Sequence, residues 1–224
     1  MRLLAIDTAL EACSVGVSAD DARPPVIISE IIGRGHAERL LGMVRAALAE
    51  ARLCAGDLDR IAVTTGPGSF TGVRVGIAAA RGLALVTGCP AAGIGTLAVL
   101  AEHARSRAGA RPVLAVLDAR RGEVYAQSFD RHGVPIGPPE VASAELIAER
   151  VDQKTLLAGA GADQILAELG SFDEARVVHR DAAPDIGALL RLGRHAPAPA
   201  VPPRPLYLRP PDAKPQVAFA ISRR

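Results

Sequence analysis

Apolar and polar positions alternate along this chain in two rhythms, and the changes between them mark the elements. Leu3-Leu4-Ala5-Ile6 is a short apolar run that stops at Asp7-Thr8, after which Cys13 to Ser18 alternates with period two; this predicts a strand, a turn and a second strand. A third apolar run, Val26 to Ile32, leads into Gly33-Arg34-Gly35. From there Leu40, Leu41, Val44, Ala47, Leu48 and Ala51 recur at helical spacing, predicting a helix over about 36–53. Ile61 to Thr65 is a buried strand by length and branching, closed by Gly66-Pro67-Gly68, and Ser69 or Thr71 can cap a helix that runs to about Val86. Gly88-Cys89-Pro90 stops that helix, Ala91 to Ile94 reads as a short strand, Thr96 as the cap of a helix through His103, and Ser106 to Arg111 as a polar connection.

The second half opens as the first does. Val113 to Leu117 ends at Asp118-Ala119, and Glu123 to Ser128 alternates after the turn, so Asp7 and Asp118 occupy matching positions at the head of each half. Strand, acid, turn and strand recurring in that order is what a duplicated fold gives. A helix near 143–151, a strand over Thr155 to Ala158, a helix near 161–169, a short strand at Arg176-Val177-Val178 and a helix near 184–193 follow. Alternating strands and helices predict an α/β fold of two lobes, residues 1–107 and 108–196, followed by a C-terminal tail over 197–224. From Pro197 to Pro215 the chain is so dense in proline that it must run extended, as a tail or a strap.

Composition narrows the classes. With 49% hydrophobic and 22% charged residues, the chain can fill a core and is no disordered polymer. Its 26 basic and 24 acidic residues leave a formal charge of +2, too small to mark a nucleic-acid or anionic-membrane binder. Lys154 and Lys214 are the only lysines, so a phosphate-gripping lysine is scarce. Cys13, Cys54 and Cys89 are odd in number and widely spaced, which suits a reducing cytoplasm better than a disulfide framework or a zinc knuckle. The first residues enter a strand directly, without the basic and apolar regions of an export signal, and no long uncharged apolar stretch predicts a membrane span.

The candidate chemistry centres on Gly66, Pro67, Gly68 and Ser69, in the glycine-rich segment that continues to Gly76 between a strand and a helix. Unpaired N–H groups and the positive end of a helix can hold an anion there. Yet the loop lacks the G-K-[ST] of a Walker A motif, Thr71 stands where a dinucleotide fingerprint has its third glycine, and Pro67 spoils a nucleophile elbow. The competing reading is a tight turn with close helix packing. Gly72, Gly76 and Ala80 share one helix face, a smooth strip that lets another helix approach closely, from this chain or another. Asp7 and Asp118 stand where a cleft phosphoryl enzyme would hold magnesium, but Arg120 and Arg121 follow Asp118 and Glu11 would repel a triphosphate, so Asp7, Thr8, Asp118, Arg120 and Arg121 read as a degenerate nucleotide cleft. His36, His103, His132, His179 and His195 contain no pair spaced to bind one metal from one helix face. Four phenylalanines and two tyrosines without tryptophan are too scattered to predict a base-stacking platform.

Several segments, taken in order, resemble the bacterial TsaB (YeaZ) family: Leu4-Ala5-Ile6-Asp7-Thr8, Gly35-His36-Ala37-Glu38-Arg39-Leu40-Leu41, the run from Gly66 to Gly76, Leu117-Asp118-Ala119-Arg120-Arg121-Gly122-Glu123-Val124-Tyr125, and Pro205-Leu206-Tyr207-Leu208-Arg209. The resemblance implies a duplicated fold of the actin, Hsp70 and sugar-kinase (ASKHA) class, with a mixed sheet and flanking helices in each lobe. It implies a non-catalytic subunit, with no cofactor or metal of its own, in the machinery that makes threonylcarbamoyladenosine beside the tRNA anticodon. The catalytic relative TsaD holds a metal through H-x-x-x-H; laid on this chain those positions fall near Thr96 and Leu100, which cannot replace imidazoles. The resemblance further implies pairing with TsaD through the first two helices, docking of the ATPase TsaE on that pair, homodimers when alone, and contact with tRNA only through the complex. The surface expected for this is His36, Leu40, Leu41, Val44 and Leu48 with Gly72, Val75, Gly76 and Ala79. The alternatives are an ATP-dependent phosphotransferase of the same class and a zinc (M22-like) metallopeptidase.

Overall fold

In a computed structural model of the chain, which describes residues 1–20, 22–170, 174–181 and 183–209, two five-stranded mixed sheets carry the fold. The first contains β1 (Leu3–Asp7), β2 (Ala12–Ser18), β3 (Val26–Ile31), β4 (Arg60–Thr64) and β5 (Ala91–Ile94), in the order β3-β2-β1-β4-β5. The second contains β6 (Val113–Arg120), β7 (Glu123–Phe129), β8 (Glu140–Ser143), β9 (Leu156–Ala158) and β10 (Val177–His179), and read from its other edge its order is β8-β7-β6-β9-β10. The two orders superpose strand for strand. In each, the first strand pairs antiparallel with the second and parallel with the fourth. The duplication expected from the matching aspartates is therefore a property of the whole topology.

The helices are α1 (His36–Glu50), α2 (Phe70–Thr87), α3 (Thr96–Ala108), α4 (Ala144–Ala148), α5 (Ala162–Glu168) and α6 (Ile186–His195). α3 outruns the expected stop at His103 and reaches Ala108: Ala104 carries its buried stripe onward, while Glu102 and Arg105 pair across one turn at 3.1 Å. Its first residue is Thr96, wholly buried, with Gly95 at the cap position instead. The helix expected near 143–151 shrinks to α4 at both ends: Ser143 closes an edge strand on β7 and caps the helix by accepting from the Leu146 N–H, while Glu149 and Arg150 leave the helix in a turn. α6 starts later than expected, at the Asp185 cap, whose Oδ1 accepts from the Ala188 N–H at 2.6 Å.

The two halves exchange their last helices. α6 lies on the first sheet, where Ile186, Leu189 and Leu190 pack with Leu3, Ala5 and Ala62. Gly193 is held so tightly there that a Cβ would come within 2.5 Å of the Ala62 Cβ. α3 lies on the second sheet, packing Leu97, Leu100 and Ala104 with Val113, Ala115 and Leu117. The expected cut between residues 107 and 108 thus parts the two sheets but not the two cores. β1 shows why: Leu4 and Ile6 face α1 and α2 while Leu3 and Ala5 face α6, so both sides of the strand are buried and its sequence is an unbroken apolar run.

The proline-rich stretch is a strap as far as Arg209; its remainder, with the rest of the tail expected to Arg224, lies outside the described residues. Pro203 packs at Gly93 beyond β5, and the Leu206 N–H donates to the Thr65 carbonyl at 2.8 Å. The strap ends on the second sheet, where Arg209 donates to the Ala119 carbonyl at 2.9 Å and pairs with Glu123.

Candidate functional site

The glycine-rich loop joins β4 to α2 and clasps the turn after β1. A Cβ at Gly68 would stand 2.3 Å from the Ala9 carbonyl oxygen, and one at Gly72 2.1 Å from that of Thr8, distances that only glycine tolerates. The Ser69 N–H donates to the Ala9 carbonyl at 2.6 Å, the Gly72 N–H to Ser69 Oγ at 3.3 Å, and Thr8 Oγ1 donates to the Gly72 carbonyl at 2.7 Å. Two of the N–H groups at the start of α2, those of Ser69 and Gly72, are thus taken by the chain itself, and with the close approach of Gly68 and Gly72 this favours the packing reading of Gly66, Pro67, Gly68 and Ser69.

Asp7, at the end of β1, is sealed beneath this clasp. Its Oδ1 accepts from Thr64 Oγ1 at 2.6 Å and from the Ala9 N–H at 3.2 Å. Its Oδ2 is buried without a hydrogen-bond partner among the described residues, as is Thr96 Oγ1. Burial pushes the carboxyl up to about 6, against the opposing pull of the Thr64 and Ala9 hydrogen bonds. Asp118, its topological counterpart, is exposed and accepts from the Arg120 N–H at 2.7 Å. Arg120, Arg121 and Gly122 turn there with φ of 63°, 57° and 75°. With Asp118 they border a cavity of about 550 Å³ lined otherwise by second-lobe residues such as Gln164 and Glu168. The expectation of one cleft shared by Asp7, Thr8, Asp118, Arg120 and Arg121 meets a division in the structure: Asp7 and Thr8 are buried by the turn and α2, while Asp118, Arg120 and Arg121 border the second-lobe cavity.

The expected partner surface also changes. Gly72 and Gly76 face inward; a Cβ at Gly76 would meet Thr8 Oγ1 at 2.5 Å, so the smooth strip serves the chain's own β1 turn. His36, Leu40, Val44 and Leu48 are buried as well, the histidine Nε2 lying 3.1 Å from the Leu10 carbonyl. Helical spacing reveals that a stripe is apolar, but not whether it faces the chain's own sheet. Of the nine residues, Leu41 is 59% exposed and Val75 and Ala79 are half-buried. α2 is long and apolar enough to cross a membrane by length and composition, yet it carries Arg74 and Arg81 outward and buries Val73, Ile77 and Ala80.

Sequence reasoning missed a cluster where strap and helix meet. The Arg74 guanidinium lies 3.7 Å from the Phe70 ring centroid, its Nε donates to Tyr207 Oη at 2.6 Å, and the two rings are 5.2 Å apart. The segment ending Tyr207-Leu208-Arg209 stood out in the sequence, but nothing there told which helix it reaches. For the metal of the catalytic relative the chain offers no fit: Thr96 and Leu100 are both fully buried, and among the described residues no three His, Cys, Asp or Glu side chains are grouped to hold an ion.

The doubled two-sheet fold is that of a TsaD-type domain: the family model described as "TsaD: tRNA N6-adenosine threonylcarbamoyltransferase" matches residues 26–167. Within that class, the chain belongs to the TsaB (YeaZ) family. It is 42% identical over 157 residues to the tRNA threonylcarbamoyladenosine biosynthesis protein TsaB of Escherichia coli, covering 68% of this chain and 67% of that one. The solved structure of YeaZ from Pseudomonas aeruginosa matches with a TM-score of 0.75 at 35% identity, over 92% of this chain and 99% of that one. A second Pseudomonas aeruginosa structure, described as an uncharacterized protein with similarity to peptidase YEAZ, matches with a TM-score of 0.77 at 32% identity, over 93% and 99%.

Proposed function

We propose that this chain is a non-catalytic subunit of tRNA threonylcarbamoyladenosine synthesis, which binds and activates TsaD and with it receives the ATPase TsaE. The chain acts in the cytoplasm, forms homodimers when alone, and meets tRNA through the complex. The observation that carries this reading is the state of Asp7. The acid at the carboxyl end of β1 is sealed from solvent, one oxygen bound internally and the other without a hydrogen-bond partner among the described residues, while Thr8 Oγ1 donates to the Gly72 carbonyl. A nucleotide-using relative would need these side chains at an open edge of the sheet. The same burial speaks against the phosphotransferase alternative, and the apolar side chain at position 100 against the metallopeptidase.

Docking is assigned to the outer face of α1 and α2, where Leu41 is exposed and Val75 and Ala79 are half-buried, rather than to the sealed glycine strip. The test is tRNA modification reconstituted from TsaD, TsaE and the enzyme that supplies threonylcarbamoyl adenylate, with and without this chain. Modification is expected to need the chain, and Leu41→Glu is expected to abolish co-purification with TsaD without lowering Tm. Turnover of any substrate by the chain alone, or unchanged pairing by Leu41→Glu, overturns the reading.

A further inference from the structure

On the flank of α2 away from α1, the strap and the helix enclose a groove that the docking reading leaves unused. Its volume is about 490 Å³, with Ala84, Leu85 and Cys89 on one wall and Pro199, Val201 and Pro202 on the other. The apolar surface beside it is wet: Leu85 is 86%, Val86 85% and Val201 61% exposed. Charge on both walls has one sign. α2 carries Arg81 on its groove wall and the strap carries Arg204 beside Pro203, both exposed, and neither Phe70–Thr87 nor residues 197–209 contain a single acid. Arg81 lines the groove, is exposed, and joins no ion pair or hydrogen bond among the described residues. The Phe70, Arg74 and Tyr207 cluster closes the other end of the same helix–strap seam, and aromatic rings with arginine are the side chains that most often anchor protein interfaces.

We propose that this groove binds an amphipathic segment of a partner protein that carries carboxylates beside its apolar face. The apolar walls require an apolar occupant to exclude water. The arginines select for Asp and Glu flanking it. A second copy of this chain is disfavoured, because pairing groove to groove would set arginine against arginine. A nucleic acid would satisfy the arginines but leave Leu85, Val86 and Val201 facing a phosphate backbone.

The proposal stands apart from the TsaD-docking face and is tested on the full chain by fluorescence anisotropy. Three labelled peptides of about 14 residues, four helical turns, present leucines at i, i+3, i+4 and i+7 with Glu, Gln or Lys at the remaining positions. The Glu peptide is expected to bind at least about tenfold more tightly than the Lys peptide, with Gln between them. Arg81→Glu should reverse that order, and Val201→Asp should weaken all three at unchanged Tm, whereas Leu41→Glu should leave all three unaltered. Saturation by none of the peptides, equal affinity for the Glu and Lys versions, or indifference to Arg81→Glu overturns the proposal. So does tighter binding of an oligouridine probe, which would reassign the groove to RNA, or self-association that Val201→Asp abolishes, which would reassign it to a second copy.

Discussion

Asp7 titrates near 6 in the folded chain, where burial opposes its charge, and near 4 when unfolded. Between those values the folded state holds the proton that the unfolded state has released, so this residue's contribution to stability declines as pH rises from about 4 to about 6 and stays low above. Asp7→Asn keeps an acceptor for Thr64 and Ala9 without the charge. Its stability relative to the native chain is expected to climb across that window by up to about 2–3 kcal/mol, read as urea midpoints at several pH values. Glycines make a second contrast at this scale. Gly82→Ala, with open space around its Cβ in an exposed turn of α2, is expected to stabilise by about 1 kcal/mol. Gly72→Ala in the same helix must push the Thr8 backbone aside and is expected to lose at least about 2 kcal/mol in the same measurement. His36, Leu40, Val44 and Leu48 carry the complementary lesson: their types and spacing were legible as an apolar stripe, but the direction that stripe faces was not.

At the scale of elements, the strap turns a proline-rich tail into a connector. Its hydrogen bond to Thr65 beside β4 and its Arg209 contacts at the β6–β7 turn join the two sheets through an extended segment with no helix or ladder of its own. Arg209→Ala removes the guanidinium from the Ala119 carbonyl and from Glu123; amide hydrogen exchange around Arg120 to Glu123 is expected to speed up while that of β4 is unchanged. The strand and helix order was readable from periodicity where an element has one inner face, and from short unbroken apolar runs where, as in β1, both faces are buried. β8 was not, since its four residues follow no alternation of apolar and polar positions that would separate them from the helix behind.

At the scale of the molecule, the exchange of α3 and α6 binds two topological copies into one folding unit. Residues 1–107 alone would leave the α6 side of the first sheet bare, and residues 108–196 alone would leave the second sheet without α3. Neither fragment is expected to show a cooperative urea transition by circular dichroism, whereas the whole chain should unfold in a single one. Two independent transitions from the separate pieces would contradict the shared core. The duplicated topology was visible in outline from Asp7 and Asp118, yet the two acids end in opposite surroundings, one sealed and one in water.

Local rhythm, turn chemistry and composition were enough to place most strands and helices, to mark the glycine-rich junction and to suggest a doubled α/β architecture, because hydrophobic periodicity and capping act over a few residues. Which half each terminal helix covers, which glycines face inward, and where the strap lands depend on contacts between residues far apart in the chain. Those pairings carry no signature in either partner's neighbourhood. They were decided only when both sides of each sheet had to be covered at once, and that closure is what sealed Asp7, hid the glycine strip and left the outer flanks of α2 exposed.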